Sequence, residues 1–249
     1  MSYESEVLAD SPTAWYRLEE TSGDVASDNA GTNDGTVFGA DLTGTTGLSQ
    51  LGSAATFDGV DDHIQIPTHV AMNPAAPFSV EFWMNAAGWG QNDLGRPVSS
   101  INSGETDGWD FYLNRNPGRI SFNLGDGTGQ DIITFEGISL DALYHIVGTH
   151  DGTDARLYIN GSLGAGPTAR GYSAQDSVAS QIGRRAYDAA RWFDGVVDEV
   201  AVYDQALSPT RISAHYDAAF ASEDPANLAA TVDGDTVSLS WDASPLVSA

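Results

Sequence analysis

Apolar and polar residues alternate with period two along most of the chain. In Phe78-Ser-Val-Glu-Phe-Trp-Met84 this places Phe78, Val80, Phe82 and Met84 on one face, and Ser79, Glu81 and Trp83 on the other. Trp109, Phe111 and Leu113 share a face in the next run, as do Ile120, Phe122 and Leu124 in the one after it. Further strand-like runs cover 144–149, 155–160, 162–165 and 196–203. Asp151-Gly152 and Asn160-Gly161 between them are strong hairpin signals. Short period-two runs at regular spacing, with little helical pattern, predict an all-β antiparallel sandwich. One helix interrupts it. Ser208 is a good N-cap, Pro209 fits the first helical position, and Ile212 and Tyr216 fall at i,i+4 on one face. Those features predict about two helical turns docked on the sandwich.

After Ala221 the texture changes. Ser222-Glu-Asp-Pro225 is linker-like, and 227–232 and 236–241 form two strand patterns joined at Asp233-Gly234. The expected organisation is one large domain over 1–221, followed by a linker and two strands over 222–249.

Composition narrows the partners. The chain has 249 residues, 35 acids and 10 bases, for a net charge of -25. Every base is Arg. Such a field repels nucleic-acid phosphates and anionic lipid headgroups, so neither is expected as a partner. A GC-rich genome explains the missing Lys. It does not explain the acid excess, which suits a high-salt setting where the Debye length falls to about 3 Å at 1 M. Cysteine is absent, which excludes disulfides and thiolate chemistry. The N-terminal residues show neither a basic n-region nor an apolar h-region, and no run reaches the length of a membrane span. The expectation is synthesis in the cytoplasm without a secretory signal, and no membrane insertion.

A set of motifs then carries a family resemblance. Ala14-Trp-Tyr-Arg-Leu18 with Glu20 and Ser22-Gly23 resembles the opening of laminin-G-like, concanavalin A-like jelly-roll domains. So do Asp28-Asn-Ala-Gly31 with Gly35-Thr-Val37, Ala55-Thr-Phe-Asp-Gly59 with Asp61-Asp62, and the strand Phe78–Met84. The later half is similar to the same domains at Tyr144–Thr149, Asp151-Gly152, Arg156–Gly161, Ile182-Gly183 and Phe193-Asp-Gly195. Val197-Asp-Glu-Val200, Tyr203 and Ala206-Leu-Ser208 complete it. The matches run in order over 13–217. The stretch Tyr3–Glu20, with Val7-Leu-Ala-Asp10, also resembles the opening of such domains in structural proteins of tailed viruses. The segment from Pro225 to Pro245, with Trp241, resembles the first two strands of a fibronectin type III domain. The resemblance implies a jelly-roll sandwich that binds rather than catalyses. It implies a tail, fibre or decoration protein at the virion surface, or otherwise an extracellular one. The implied partners are a cell-surface glycan and other virion proteins or further copies of the chain. A purely structural virion subunit without a glycan ligand is the alternative.

Candidate chemistry follows from both readings. Sandwich glycosidases of the retaining kind need two carboxylates on one face, about 5–5.5 Å apart. No E-x-D-x-x-E strand occurs, Glu81 stands alone, and Asp198 and Glu199 are adjacent and so expected on opposite faces. The five His show no metal-ligand spacing. Hence no enzyme is expected. Glycan binding needs an exposed aromatic ring with planar polar groups nearby. Trp89 in the loop Gly88–Asp93, with Asn92, is the first candidate, and Trp192 beside Arg191 and Asp188 the second. The alternative for each Trp is packing under its own loop. Arg184 and Arg185 either contact a carboxylated or sulfated sugar or offset local acidic charge. Trp15, Trp83 and Trp109 are expected in the core. By strict alternation Asp198 shares a face with Val196, Val200 and Val202, where a carboxylate needs a partner. The resemblance implies a structural Ca²⁺ held by Asp198 with Asp28, Asn29 or Asp34. Otherwise Asp198 accepts backbone N–H bonds or pairs with Arg17.

Overall fold

The computed structural model describes residues 2–46, 48, 50–221, 229–233 and 236–240. In chain order its strands begin with β1 (Ala14–Tyr16), β2 (Val25–Ala26), β3 (Gly35–Phe38), β4 (Asp41–Thr45), β5 (Ser53–Asp58) and β6 (His63–Ile66). Then come β7 (Phe78–Ala86), β8 (Val98–Ile101), β9 (Gly108–Asn114), β10 (Arg119–Gly125), β11 (Gln130–Glu136) and β12 (Leu143–His150). The last are β13 (Asp154–Ile159), β14 (Ser162–Ala169), β15 (Ser180–Ile182), β16 (Asp194–Tyr203), β17 (Ala229–Asp233) and β18 (Thr236–Ser240). Two helices, α1 (Tyr3–Ala9) and α2 (Pro209–Ala219), flank the main body in sequence.

The strands form two antiparallel sheets. The first runs β14-β13-β12-β7-β16-β5-β4, with β1 also on β16. The second runs β11-β10-β9-β8-β15-β6-β3-β2. Half of the strand pairs join strands that are not consecutive in the chain, as in a jelly roll. β17 and β18 form a separate two-stranded hairpin where the alternation predicts one. Trp241 and the linker 222–225 lie outside the described residues.

Two apolar layers hold the body together. Phe78, Val80, Phe82 and Met84 of β7 meet Trp109, Phe111, Leu113, Ile120, Phe122 and Leu124 between the sheets. Each such side chain stabilises by about 1.5–3 kcal/mol on burial. A second layer lies on the outer face of the first sheet. There Trp15, Trp83, Val147, Tyr158, Ala201 and Tyr203 pack with Tyr3, Val7, Ile212 and Ala218. This explains why Ser79, Glu81 and Trp83 are buried along with the opposite face of β7. Trp15, Trp83 and Trp109 are core residues, at 2%, 0% and 0% exposure.

α2 starts as its sequence signals indicate, with Ser208 Oγ accepting the Arg211 N–H and Pro209 in the first turn. It spans 11 residues, three turns rather than two. The second helix, α1, departs from the expectation of a single helix. Its signals are local: Ser2 caps it by accepting the Ser5 N–H, Glu4 and Glu6 sit in the first turn, and Tyr3 and Val7 are buried at i,i+4. At 7 residues it is too short to stand alone, and its apolar pair packs into the layer around Trp83.

Candidate functional site

The second sheet presents its polar face outward. β9 and β10 alternate, so the residues between the core positions (Asp110, Tyr112 and Asn114, with Arg119, Ser121 and Asn123) share the opposite face, in register at Arg119↔Asn114, Ser121↔Tyr112 and Asn123↔Asp110. Tyr112, Asn114 and Arg119 line a pocket of about 270 Å³ there, with Leu94, Arg96, Glu105, Gln130, Arg185 and Arg191. Four of the ten cations of a chain of net charge -25 therefore meet in one cavity.

Two loops build its wall. Residues 89–95 and 183–192 are laced by backbone bonds: Gln91 N–H to Trp192 O at 2.9 Å, Gly95 N–H to Trp89 O at 2.8 Å, and Arg96 N–H to Arg191 O at 3.0 Å. The Arg191 N–H also donates to Gln91 Oε1 at 2.7 Å.

Two of the four arginines are fixed by partners. Arg96 Nε donates to Asp110 Oδ2 at 2.6 Å, and its guanidinium lies 4.4 Å from the Tyr112 ring centroid. Asp110 is fully buried, and burial raises its pKa against the pull of Arg96. Arg185 Nε donates to Asp188 Oδ1 at 2.8 Å, and its guanidinium lies 4.4 Å from the Tyr187 ring. Tyr187 Oη donates to Glu105 Oε1 at 2.8 Å; burial and that carboxylate push its pKa up to about 12. Glu105 stands 4.0 Å from Arg96 and 3.9 Å from Arg185. Arg119 and Arg191 form no ion pair among the described residues. The Nε of Arg119 is buried without a hydrogen-bond partner.

The ligand-binding residues expected from sequence gather around this pocket, but only Arg185 lines it. Trp89 is half-buried and packs against the inter-sheet core. Its Cη2 would lie 3.3 Å from a Cβ at Gly118, a position whose φ of +76° and crowding favour glycine. Asn92 is exposed at φ +58° in the tip of the loop. Trp192 is not an open platform. It is 7% exposed, 5.5 Å from the His63 ring, with the Arg184 guanidinium 5.3 Å from its own ring. Arg96, Tyr112, Asn114, Arg119 and Gln130 were missed. The polar alternation of β9 opposite Trp109, Phe111 and Leu113 was the signal that marked the first sheet-borne members.

A larger groove of about 630 Å³ lies between the Thr68–Ala75 and Ala174–Asp176 segments. It offers neither arginine nor a Tyr or Trp ring. We place the candidate site at the smaller pocket because the planar donors converge there.

The residues expected to hold calcium are engaged mainly by the backbone. Asp28 is spent on the backbone: its Oδ1 accepts N–H bonds from Trp15, Ala30 and Gly31 at 3.0–3.1 Å, and its Oδ2 accepts from Asn33 at 3.2 Å. Asp34 Oδ1 accepts the Asp28 N–H at 2.9 Å, and the Asn29 N–H donates to Trp15 O at 2.7 Å. Asp28, Asp34 and Asp198 do not form a trio of carboxylates with one oxygen from each all within 4.8 Å of one another. Among the described residues only Asp58, Asp61 and Asp62 do so.

Asp198 also leaves the face that alternation assigns to it. β16 carries a bulge between Asp198 and Ala201, with Glu199 at φ +52°. Val197, Val200 and Val202 point between the sheets, while Asp198, paired with Trp83, turns toward the helix-covered face. Asp198 Oδ1 accepts the Glu199 N–H at 2.9 Å, while its Oδ2 is buried without a hydrogen-bond partner. The bulge corrects the opposite-faces expectation too. Glu199 Oε2 accepts from Trp15 Nε1 at 2.6 Å, its Oε1 lies 3.6 Å from Arg17, and Asp198 feels the same Arg17. Burial pushes the Glu199 pKa up to about 8 and raises that of Asp198 well above the carboxylate range.

Nearby, fully buried Glu81 gathers four side chains. Tyr3 and Tyr203 hydroxyls donate at 3.0 and 2.8 Å, His145 Nε2 lies at 2.7 Å, and His215 Nδ1 at 2.9 Å. His215 Nε2 lies 2.9 Å from Asp10, which also pairs with Arg211 at 2.8 Å. Burial alone would raise the Glu81 pKa; the charge and hydrogen bonds of His215 and His145 overcome it and hold the group well below its ordinary value. Burial likewise opposes the His215 charge, and Glu81 and Asp10 more than offset it, raising its pKa. This network pins both helices to the first sheet.

A comparison with curated protein sequences found no match. Among solved structures, the binding domain of Paraclostridial Mosquitocidal Protein 1 is similar at a TM-score of 0.63 and 16% identity, over 88% of this chain and 55% of that one. The botulinum neurotoxin serotype D ligand binding domain in complex with N-acetylneuraminic acid gives 0.61 and 14%, over 87% and 52%. The botulinum neurotoxin type G receptor binding domain gives 0.59 and 16%, over 83% and 51%. The chain thus spans about half the length of these neighbours, and at such identities the likeness is one of fold. The family profile described as the concanavalin A-like lectin/glucanases superfamily (Laminin_G_3) matches residues 58–213, more than half of the chain. The chain belongs to that family.

Proposed function

We propose that this protein is a non-catalytic carbohydrate-binding module whose ligand sits in the arginine-lined pocket of the second sheet. The observation that carries the reading is the convergence of Arg96, Arg119, Arg185 and Arg191 with Tyr112, Asn114 and Gln130 in one open concavity of a lectin-type fold. The receptor-binding domains similar in fold, one of them described in complex with N-acetylneuraminic acid, agree with it. The carboxylates that a glycosidase would need point elsewhere: Glu81 and Glu199 are both at 0% exposure and held by internal hydrogen bonds. Screening the protein on a glycan array, with Tyr112→Ala alongside, tests the reading. Binding that Tyr112→Ala weakens supports it; the absence of any glycan ligand at both 0.15 M and 1 M salt rejects it.

The proposed setting is the surface of a virion, with other virion proteins or further copies as neighbours. The resemblance of Tyr3–Glu20 to tailed-virus structural proteins supports this, and the acid excess suits a subunit displayed in salty medium. The β17–β18 hairpin supports the proposal that 222–249 opens a fibronectin type III-like segment. Mass spectrometry of purified particles tests the setting, and a protein never recovered with particles contradicts it.

A further inference from the structure

We infer that the pocket of the second sheet selects acidic sugars, those bearing a carboxylate or a sulfate group, and does so through Arg119 and Arg191. The inference rests on the carbohydrate-binding reading above and names the ligand class of the same site.

Three observations carry it. The first is charge placement. Acids outnumber bases 35 to 10, yet four arginines share this one pocket with a single lining carboxylate, Glu105. The second is the division of labour among the four. Arg96 and Arg185 are held by Asp110 and Asp188, whereas Arg119 and Arg191 have no carboxylate partner among the described residues. A guanidinium presents a planar fork that fits two oxygens of a carboxylate or sulfate at once, and it remains charged at any working pH. The unpaired forks are therefore free for an anionic ligand, and the buried, unpartnered Nε of Arg119 marks a donor left unsatisfied by the protein.

The third observation concerns the aromatics. A neutral sugar is ordinarily gripped by stacking on an open aromatic face. Here the Tyr112 ring is covered by Arg96 and the neighbouring Tyr187 ring by Arg185, each at 4.4 Å. Trp192, which sequence suggests as a platform, is covered by Arg184. These three rings orient cations instead of sugars, so discrimination falls to charge. Asn114 and Gln130 remain to bond hydroxyls.

The test is calorimetric titration of the whole chain with three tetrasaccharides of equal length, ending in glucose, glucuronate or a sulfated galactose. The expected result is at least tenfold tighter binding of one or both acidic probes than of the neutral one at 0.15 M salt, with the preference shrinking at 1 M. The double variant R119Q/R191Q brings the preference to within about twofold of unity, whereas Arg156→Gln, on the first sheet and paired to Asp151, leaves it intact. The two acidic arms separate carboxylate from sulfate recognition. Equal or tighter binding of the neutral probe overturns the inference and leaves the carbohydrate-binding reading standing. If none of the three binds and the array is blank, both fall. The wild-type comparison decides even if the double variant fails to fold.

Discussion

Glu199 sits where a carboxylate is least welcome, and replacing it with glutamine should stabilise the protein at alkaline pH. In the native state burial raises its pKa from 4.5 to about 8, while in the unfolded chain it returns to the ordinary value. A group that holds its proton more tightly when folded contributes stability that is fully present below the unfolded pKa. That stability is lost as pH rises from 4.5 toward 8, and none remains above the folded value. A difference of about 3.5 in pKa at 1.36 kcal/mol each is about 5 kcal/mol. Asp198 is buried against the same Arg17 and titrates with Glu199, so the part belonging to Glu199 alone is about 2–5 kcal/mol. Glutamine has the shape of the protonated acid and keeps an oxygen for the Trp15 Nε1–H, now at 2.6 Å. Glu199→Gln and wild type should therefore unfold within about 1 kcal/mol of each other at pH 5. At pH 8.5 the variant should be more stable by about 2–5 kcal/mol, or roughly 5–15 °C in Tm for a domain of this size. Urea unfolding from pH 5 to 9 measures this. Parallel stability curves, or a variant that loses stability with pH as steeply as wild type, would refute the account of the bulge and its buried carboxyls.

Three other outcomes follow from the same packing. Glu81→Gln removes the charge that faces His215 in a dry layer and should cost about 3–5 kcal/mol. Because the folded Glu81 pKa is depressed, the wild-type advantage is present above pH 4.5 and lost as pH falls further, which acid titration of both proteins checks. Trp192→Ala should lower stability by about 3 kcal/mol in calorimetry while leaving the relative affinity for acidic and neutral probes unchanged, since the ring is packed under Arg184. Asp28→Ala, which orphans four backbone N–H groups, should destabilise by about 2–3 kcal/mol to the same extent in calcium and in chelator; a calcium-dependent loss contradicts the backbone-bonded turn.

The fold was legible because its signals are local. Period-two faces at Phe78–Met84 and Trp109–Leu124, the Asp151-Gly152 and Asn160-Gly161 turns, and the Ser208-Pro209 start of α2 each determine their own neighbourhood. What alternation could not reveal was where it breaks. A one-residue bulge at Glu199 shifts register, and a shift of one residue moves every later side chain to the other face. That single bulge moved Asp198 out of the inter-sheet core and put two acids in one layer. The site was half legible. Arg185, Arg191 and the two loops at its edge stood out as Trp- and Arg-bearing turns, but Arg96 and Arg119 come from other segments, far apart in sequence. Only the pairing of β9 with β10, and the lacing of the 89–95 and 183–192 loops, brings them together.

The proposed ligand site is the polar face of the second sheet. The most direct measurement is NMR titration of the isotope-labelled protein with the acidic tetrasaccharide that binds tightest, following the arginine Nε–Hε signals and the backbone amides. The largest shifts should fall on Arg96, Arg119, Arg185 and Arg191 and on amides near Tyr112, Asn114 and Gln130. Shifts centred instead on the Thr68–Ala75 and Ala174–Asp176 groove, with the four arginines silent, would contradict it.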